Sequence, residues 1–355
     1  MSEYTEILFS VMKGTDGNLG IITLNRQEVL NSLNHEMIHA LYQRLHQWAI
    51  DASIKAVVIK AALGRAFCAG GDIRLTYDRM LAKDSAAPIF FRDEYILNRF
   101  IFHYSKPYIA LLDGITMGGG VGISIHGSHR IATEKLLFAM PETGIGFFPD
   151  VGGTYFLPRL PGKIGYYLGL TGARIKTDDA VATGIANHQV LHDDLEHLIS
   201  ALADESFGTN AKASVTEVIK RFETPVTSST LLDQQAIIDN VFSGHTMEDI
   251  FKLLSESDER ICQSALASLQ KVSPTSLKIT LRALQESRQF NFDEIMQREF
   301  RLSCRFLQGH DFPEGIRAVI IDKDQSPSWH PANLSGVTEA EVALYFSPLT
   351  DELPD

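Results

Sequence analysis

Three glycine-rich stretches in the first half of the chain constrain its fold more than any other feature. They are residues 68–72 (CAGGD), 117–122 (MGGGVG) and 140–153 (MPETGIGFFPDVGG). The first two each follow a short apolar run that is typical of a buried strand, and the second continues into an apolar segment of helical character. Strand, glycine turn and helix in succession are typical of βαβ connections. The sequence therefore predicts an α/β core up to about residue 192.

The pattern of apolar residues also predicts individual elements. Residues 7–13 and 19–24 are expected to form a hairpin, because the residues between them are rich in Gly, Asp and Asn. Asn34 is a favourable N-cap for a helix, and Pro88 is expected to begin a second helix that carries Glu94.

Beyond residue 193 the sequence becomes helical. Capping patterns begin at Thr246, at Ser273 and at Thr338. We therefore predict two parts, a catalytic core over residues 1–192 and a helical C-terminal region over residues 193–355. The second part is expected to pack on the core, to cover the site or to mediate assembly.

Charge and composition exclude several classes of protein. The net charge of −12 argues against a general nucleic-acid-binding protein, because neutralising phosphates requires a basic surface. The first six residues, MSEYTE, lack the regions of a signal peptide, and no apolar run approaches the length of a membrane span. The three cysteines have no paired spacing. We therefore expect reduced thiols, a cytoplasmic location and no membrane partner.

Two acids in the third glycine-rich stretch are the first candidates for chemistry. Glu142 and Asp150 are separated by residues too rich in Gly and Pro for one continuous helix, so they are expected on a tight turn. The backbone amides of Gly71 and Gly119, each at a glycine bend, could stabilise the negative charge that develops on a carbonyl oxygen during acyl chemistry. Glu142 would then be the general base or the nucleophile.

Simpler interpretations of the same residues remain open at this point. The glycines could only permit tight turns, and Asp150 could cap the turn at residues 151–153. Glu94 is a third candidate acid, although its spacing alone favours a solvated helix face. Cys68 lies near the glycine bend without an obvious activating histidine, and His129 is better explained as structural than as a metal ligand.

Several motifs together resemble those of the enoyl-CoA hydratase/isomerase (crotonase) superfamily. They are Asn25-Arg26, residues 66–72 (AFCAGGD), 114–122 (GITMGGGVG) and 140–142 (MPE). The resemblance implies the ClpP/crotonase-like fold, a spiral of ββα units, with an acyl-CoA thioester as substrate. It also implies that the amides of Gly71 and Gly119 form the oxyanion hole, and that no metal or redox cofactor is needed.

One departure from the family pattern bears on the reaction. Hydratases of this family carry a second catalytic glutamate shortly after the glycine run, where this chain has Gly122. Residues 91–95, 141–159, 311–318 and 322–327 instead resemble the 3-hydroxyisobutyryl-CoA hydrolase branch. In that branch the substrate-binding and catalytic positions correspond to Glu94, Gly119, Glu142 and Asp150.

The resemblance implies hydrolysis of a short 3-hydroxyacyl-CoA, with 3-hydroxyisobutyryl-CoA of valine breakdown as the expected substrate. Two alternatives remain, an isomerase or hydratase that works through Glu142 alone and a non-catalytic acyl-CoA-binding subunit. A homo-oligomer is possible, since crotonases are often trimers.

Overall fold

The structure is a computed structural model that describes residues 4–354, so residues 1–3, which belong to the segment used to predict the absence of a signal peptide, lie outside the described residues. Its contacts group the chain into two compact units that are each built from three segments. The first unit contains Met1–Gly71, Leu97–Phe138 and Ile175–Leu232, and the second contains Asp72–Ile96, Ala139–Arg174 and Asp233–Asp355. Each unit therefore draws on both sides of residue 192. The predicted division into a core over residues 1–192 and a C-terminal region over residues 193–355 stays a prediction.

Strands are concentrated in the first unit. They are β1 (Ile7–Lys13), β2 (Asn18–Leu24), β3 (Ile54–Ala61), β4 (Ala66–Cys68), β5 (Tyr108–Leu112), β6 (Ile115–Met117), β7 (His129–Ala132), β8 (Leu137–Ala139) and β9 (His188–Gln189). One sheet has the order β1-β2-β3-β5-β7-β9, and a smaller sheet has the order β4-β6-β8. β1 and β2 form the predicted antiparallel hairpin, and the pairs from β2 to β9 are parallel.

The α-helices follow in chain order. They are α1 (His35–Ile50), α2 (Arg74–Leu81), α3 (Ile89–Phe102), α4 (Gly119–Gly122), α5 (Gly153–Phe156), α6 (Ile164–Thr171), α7 (Thr177–Ala182), α8 (Leu195–Asp204), α9 (Ala211–Lys220), α10 (Thr230–Asp233), α11 (Gln235–Val241), α12 (Met247–Ser255), α13 (Arg260–Leu269), α14 (Pro274–Glu286), α15 (Phe292–Phe306), α16 (Asp311–Ile316) and α17 (Glu339–Phe346). Short 3₁₀ segments cover Gln27–Val29, Glu142–Ile145, Leu157–Arg159, His192–Asp194, Ser287–Gln289 and Leu334–Gly336, and a π-helical turn covers Arg317–Ile321.

The larger sheet buries one face against α8 and α9. Alternate residues along β2, Leu19 and Ile21, point to this face, because side chains in a strand alternate between the two sides of the sheet. They pack with Val58 of β3 and with Leu198 and Ile199 of α8. Fully burying a side chain of this size contributes about 1.5–3 kcal/mol, so this layer is a principal source of stability for the first unit.

The predicted helix starts are confirmed. The Asn34 side chain accepts a hydrogen bond from the amide of Met37 at the start of α1. Thr246 and Thr338 form capping boxes at α12 and α17, and Ser273 caps α14 ahead of a proline. Side-chain caps satisfy amides that have no partner inside the helix, so they fix where each helix begins.

Aromatic residues form the core of the second unit around the third glycine-rich stretch. The ring of Phe147 stacks on that of Phe312 with 4.3 Å between centroids, and it lies 5.3 Å from both Phe91 and Phe306. The adjacent Phe148 stacks on Phe306 at 5.6 Å. These contacts anchor the residues between Glu142 and Asp150 to α3, α15 and α16.

Candidate active site

Four of the carboxyl groups buried in the second unit perturb one another. The residues that carry them are only 2% (Glu94), 6% (Glu142), 5% (Asp150) and 0% (Glu299) exposed. Negative charge on neighbouring acids adds to burial in raising the pKa of Glu94, of Glu142 and of Glu299. Buried acids that perturb one another in this way are typical of active sites, although a purely structural cluster can also produce such shifts.

Glu142 begins the 3₁₀ segment Glu142–Ile145, directly after Pro141. Its Oε2 atom is buried without a hydrogen-bond partner in the described part of the chain. Burial, and secondly the charge of Asp150, raise the pKa of Glu142 well above its ordinary value. A buried carboxylate oxygen that no protein group satisfies is available to a substrate or to water.

Asp150 lies at the start of a tight turn and is oriented by Tyr95. The Tyr95 hydroxyl donates a hydrogen bond to Oδ2 of Asp150 over 2.7 Å. Burial raises the pKa of Asp150 to about 7, and the hydrogen bond from Tyr95 opposes that rise. The alternative that Asp150 only caps the turn is incomplete. Its backbone carbonyl does accept from the Gly153 amide at 2.7 Å, but its side chain binds Tyr95.

The turn that follows Asp150 has an unusual backbone. Gly152 has φ 84°, which glycine adopts without a steric penalty, whereas Val151 has φ 51° although its side chain is β-branched and fully buried. A conformation of this kind costs about 1–3 kcal/mol and persists only where surrounding contacts enforce it. The strain lies next to Asp150, as is typical of functional sites.

Glu299 supplies contacts that enforce this turn. Its Oε2 accepts a hydrogen bond from the amide of Gly152 at 2.7 Å. Its Oε1 accepts from the amide of Thr154 at 3.0 Å and from the Thr154 hydroxyl at 2.6 Å. Burial raises the pKa of Glu299 to about 8, and these three donors limit the rise.

Glu94 is not on a solvated helix face, and the expectation from its spacing is wrong. It lies on the buried side of α3, and its Oε1 has no hydrogen-bond partner within residues 4–354. Burial, and then the charge of Asp150, raise its pKa well above the ordinary value. The spacing misled because α3 is buried around much of its circumference, so its apolar stripe does not mark the boundary with solvent.

The two predicted oxyanion-hole amides lie at the ends of neighbouring strands in the first unit. β4 and β6 pair in parallel, so Gly71 and Gly119 both follow the carboxyl end of a strand at one edge of the smaller sheet. Neither amide donates a hydrogen bond to any group of residues 4–354. Free amides at such bends are the donors that acyl chemistry requires, because they can meet a developing oxyanion without first breaking a bond.

A close contact fixes the relative position of these two bends. A Cβ atom added at Gly120 would lie 2.2 Å from the carbonyl oxygen of Cys68, so no other residue fits there without displacing the backbone. Cys68 itself is buried, with its Sγ 3.5 Å from the carbonyl oxygen of Gly70. These contacts are consistent with a packing role for Cys68 rather than with a nucleophile.

His129 has structural contacts, as expected. Its ring nitrogens lie 2.9 Å from the Ser128 hydroxyl and 3.0 Å from that of Thr216. Burial lowers its pKa to about 4. A neutral, hydrogen-bonded histidine of this kind holds strand β7 against α9.

Sequence reasoning missed Tyr95, Glu299 and Ser303. The Ser303 hydroxyl lies 2.6 Å from the Tyr95 hydroxyl and 3.0 Å from the carbonyl oxygen of Glu299. A signal was present, because Glu299 and Ser303 occupy the same stripe of α15 as Ile295 and Phe306, where only apolar residues are expected. A polar residue inside an apolar stripe indicates a buried polar partner.

Comparisons with known proteins agree with the fold and the motifs. Residues 19–346 match the family described as enoyl-CoA hydratase/isomerase. The human mitochondrial 3-hydroxyisobutyryl-CoA hydrolase is 46% identical over 98% of this chain and 91% of its own length. The Danio rerio protein of the same name is 45% identical over the same shares of the two chains. A crystal structure of a carnitinyl-CoA dehydratase from Mycobacterium thermoresistibile is 38% identical over 99% of both chains, with a TM-score of 0.91.

Within residues 4–354, no helix combines the length and the apolar character needed to cross a membrane. The α/β crotonase fold with a helical C-terminal region, expected from the motifs, is confirmed. Because the family match spans most of the sequence and the relatives align along nearly all of it, this chain belongs to the enoyl-CoA hydratase/isomerase (crotonase) family.

Proposed function

We propose that this chain hydrolyses the thioester of a short 3-hydroxyacyl-CoA, with 3-hydroxyisobutyryl-CoA as the principal substrate and 3-hydroxypropionyl-CoA as a second one. The observation that carries the proposal is the acid cluster, in which Glu142 has a free buried oxygen beside Asp150. The names of the relatives at 45–46% identity support the same substrate.

The reaction assigns a role to each group. The amides of Gly71 and Gly119 stabilise the oxyanion that forms on the thioester carbonyl, and Glu142 provides the attack on its carbon. Glu94 and Asp150 hold the 3-hydroxyl group and the attacking water. The carbon–sulfur bond breaks, the thiolate of CoA leaves and takes up a proton, and the 3-hydroxy acid is released.

Two routes remain open for Glu142. In one, its carboxylate attacks the carbonyl and expels the thiolate, and water then hydrolyses the mixed anhydride. In the other, it removes a proton from water, which attacks directly. The raised pKa of Glu142 makes its carboxylate a stronger base and nucleophile than an exposed one. Hydroxylamine distinguishes the routes, because the anhydride yields an acyl-hydroxamate at Glu142 and the general-base route does not.

The second candidate function is hydration or isomerisation of an enoyl-CoA. It is favoured by the similarity to the Mycobacterium thermoresistibile protein, which is named a dehydratase. Against it stands Gly122, a buried residue of α4 without a side chain at the position of the second hydratase glutamate. Adding water across a double bond ordinarily uses two acids, one to activate water and one to protonate carbon.

A direct comparison of two substrates decides between these functions. The purified chain is incubated with 3-hydroxyisobutyryl-CoA, and the free thiol is measured; in parallel, crotonyl-CoA is followed by the absorbance of its conjugated double bond. We expect thiol release to be the faster reaction. Faster loss of the crotonyl absorbance would refute the hydrolase and support the hydratase.

Several finer expectations accompany the proposal. We propose an acyl-CoA substrate with no nucleic-acid or membrane partner, a reaction without metal or redox cofactor, and a cytoplasmic location, and a homo-oligomer is one possible assembly. The curated relatives are named mitochondrial, so the location is the first of these to test by fractionation.

A further inference from the structure

Glu299 is a buried acid for which the thioester chemistry itself has no use. It is fully buried on α15, where its neighbours along the buried stripe include Ile295, Met296 and Phe300. A carboxyl group among apolar residues is destabilising unless its oxygens accept hydrogen bonds. Its position therefore requires an explanation beyond packing.

The contacts of Glu299 converge on one turn. Both of its oxygens accept hydrogen bonds from the turn after Asp150, through the amides of Gly152 and Thr154 and the Thr154 hydroxyl. These residues are 145–147 positions away in the sequence. The strained residue Val151 lies between Asp150 and the clamped amide of Gly152, so the carboxyl group of Glu299 holds the backbone directly after Asp150.

The same helix also reaches the side chain of Asp150. Ser303 lies one helical turn after Glu299, and its hydroxyl is 2.6 Å from that of Tyr95, which donates to Asp150 at 2.7 Å. α15 is therefore linked to Asp150 indirectly in two ways, through the backbone of the following turn and through the Tyr95 hydroxyl. A helix is a more rigid support than a loop, so this arrangement preorganises the acid.

We propose that Glu299 is a positioning residue for the thioester hydrolysis, acting through Asp150 by clamping the turn of residues 150–154. The inference rests on the proposed function of Asp150. It assigns Glu299 no contact with the substrate, and Ser303 and Tyr95 complete the same support.

The variant Glu299→Gln tests this role because it keeps the shape of the side chain. The amide nitrogen of glutamine cannot accept a hydrogen bond, so one of the clamped amides meets a donor instead of an acceptor. We expect kcat to fall roughly 10- to 100-fold, the range for a small misplacement of a reacting group, with KM within about twofold of the wild type. Thr154→Val removes only the hydroxyl donor, and its effect is expected to be smaller.

A double-mutant cycle separates positioning from general stability. Glu294→Gln on the same helix is the matched control, because glutamine preserves its cap at the start of α15, and its kcat should equal that of the wild type. If Glu299 acts through Asp150, then adding Glu299→Gln to Asp150→Asn should lower kcat by less than about threefold. Equal losses in both backgrounds, or an unchanged kcat in Glu299→Gln, would overturn the inference.

Each protein in the cycle is assayed both for thiol release and for loss of the crotonyl-CoA absorbance. A wild type that hydrates but does not release thiol refutes the proposed function, while the cycle on hydration still decides the role of Glu299. Circular dichroism of each variant shows whether a loss reflects unfolding.

Discussion

Replacing Asp150 by asparagine should strongly lower the activity and yet stabilise the protein at neutral pH. Burial raises the pKa of Asp150 from its ordinary 3.8 to about 7. An acid with a raised pKa keeps its proton in the folded state at a pH where the unfolded chain has lost it. The stability of the wild type therefore falls as the pH rises from about 4 to about 7, and the loss stays constant above that pH.

The size of the effect follows from the difference between the two values. One unit of pKa corresponds to about 1.4 kcal/mol, so a difference of about three units gives about 4 kcal/mol. Asparagine carries no titrating proton, and its carbonyl oxygen can still accept the hydrogen bond from Tyr95. The free energy of unfolding of Asp150→Asn, measured against the wild type, should therefore increase by about 4 kcal/mol between pH 4 and pH 8.

Urea unfolding followed by circular dichroism at several pH values measures this difference. Asp258→Asn is the matched control, because Asp258 is exposed in the same unit. The free energy of unfolding of Asp258→Asn should change with pH in the same way as that of the wild type. If the curve for Asp150→Asn were also parallel to the wild type, Asp150 would have an ordinary pKa in the folded protein, and the argument from burial would be refuted.

Three further variants test the other groups of the site. Glu142→Gln should lower the rate of thiol release at least about 100-fold, and an unchanged rate would refute the role assigned to Glu142. Absence of thiol release from the wild type itself would instead support an acyl-CoA-binding subunit. Tyr95→Phe removes a hydrogen bond that lowers the pKa of Asp150. The limb of the pH–rate profile that reports Asp150 should therefore move to higher pH. A limb in the wild-type position would contradict the assignment of that limb to Asp150. Gly120→Ala places a Cβ atom 2.2 Å from the Cys68 carbonyl oxygen and should displace the bends that carry the two amides. We therefore expect lower kcat and lower thermal stability. Wild-type values for both would show that the bends tolerate the contact.

Most of the structural features that the sequence predicted correctly depend on local patterns. The hairpin of β1 and β2, the Asn34 cap and the capping boxes at Thr246 and Thr338 depend on residues a few positions apart, so the sequence contains the full signal. The two amides could be proposed for the same reason, since each lies in its own glycine bend.

Such local patterns could not predict contacts between segments that are distant in the sequence. The burial of Glu94 depends on what surrounds α3 on several sides, and spacing within one helix does not record this. The clamp from Glu299 to Thr154 joins residues 145 positions apart, and no local rule connects them. An acid within an apolar stripe could have indicated that a partner exists, but not which one.

The distance in sequence between the turn and its clamp has a consequence for synthesis of the chain. A ribosome adds about 5–20 residues per second, so Thr154 is made roughly 7–30 s before Glu299. During that interval the backbone at Val151 has no carboxyl group to hold its left-handed conformation. The turn of residues 150–154 should therefore be among the last parts of the nascent chain to take its final form, and premature termination before α15 would leave Asp150 on an unsupported loop.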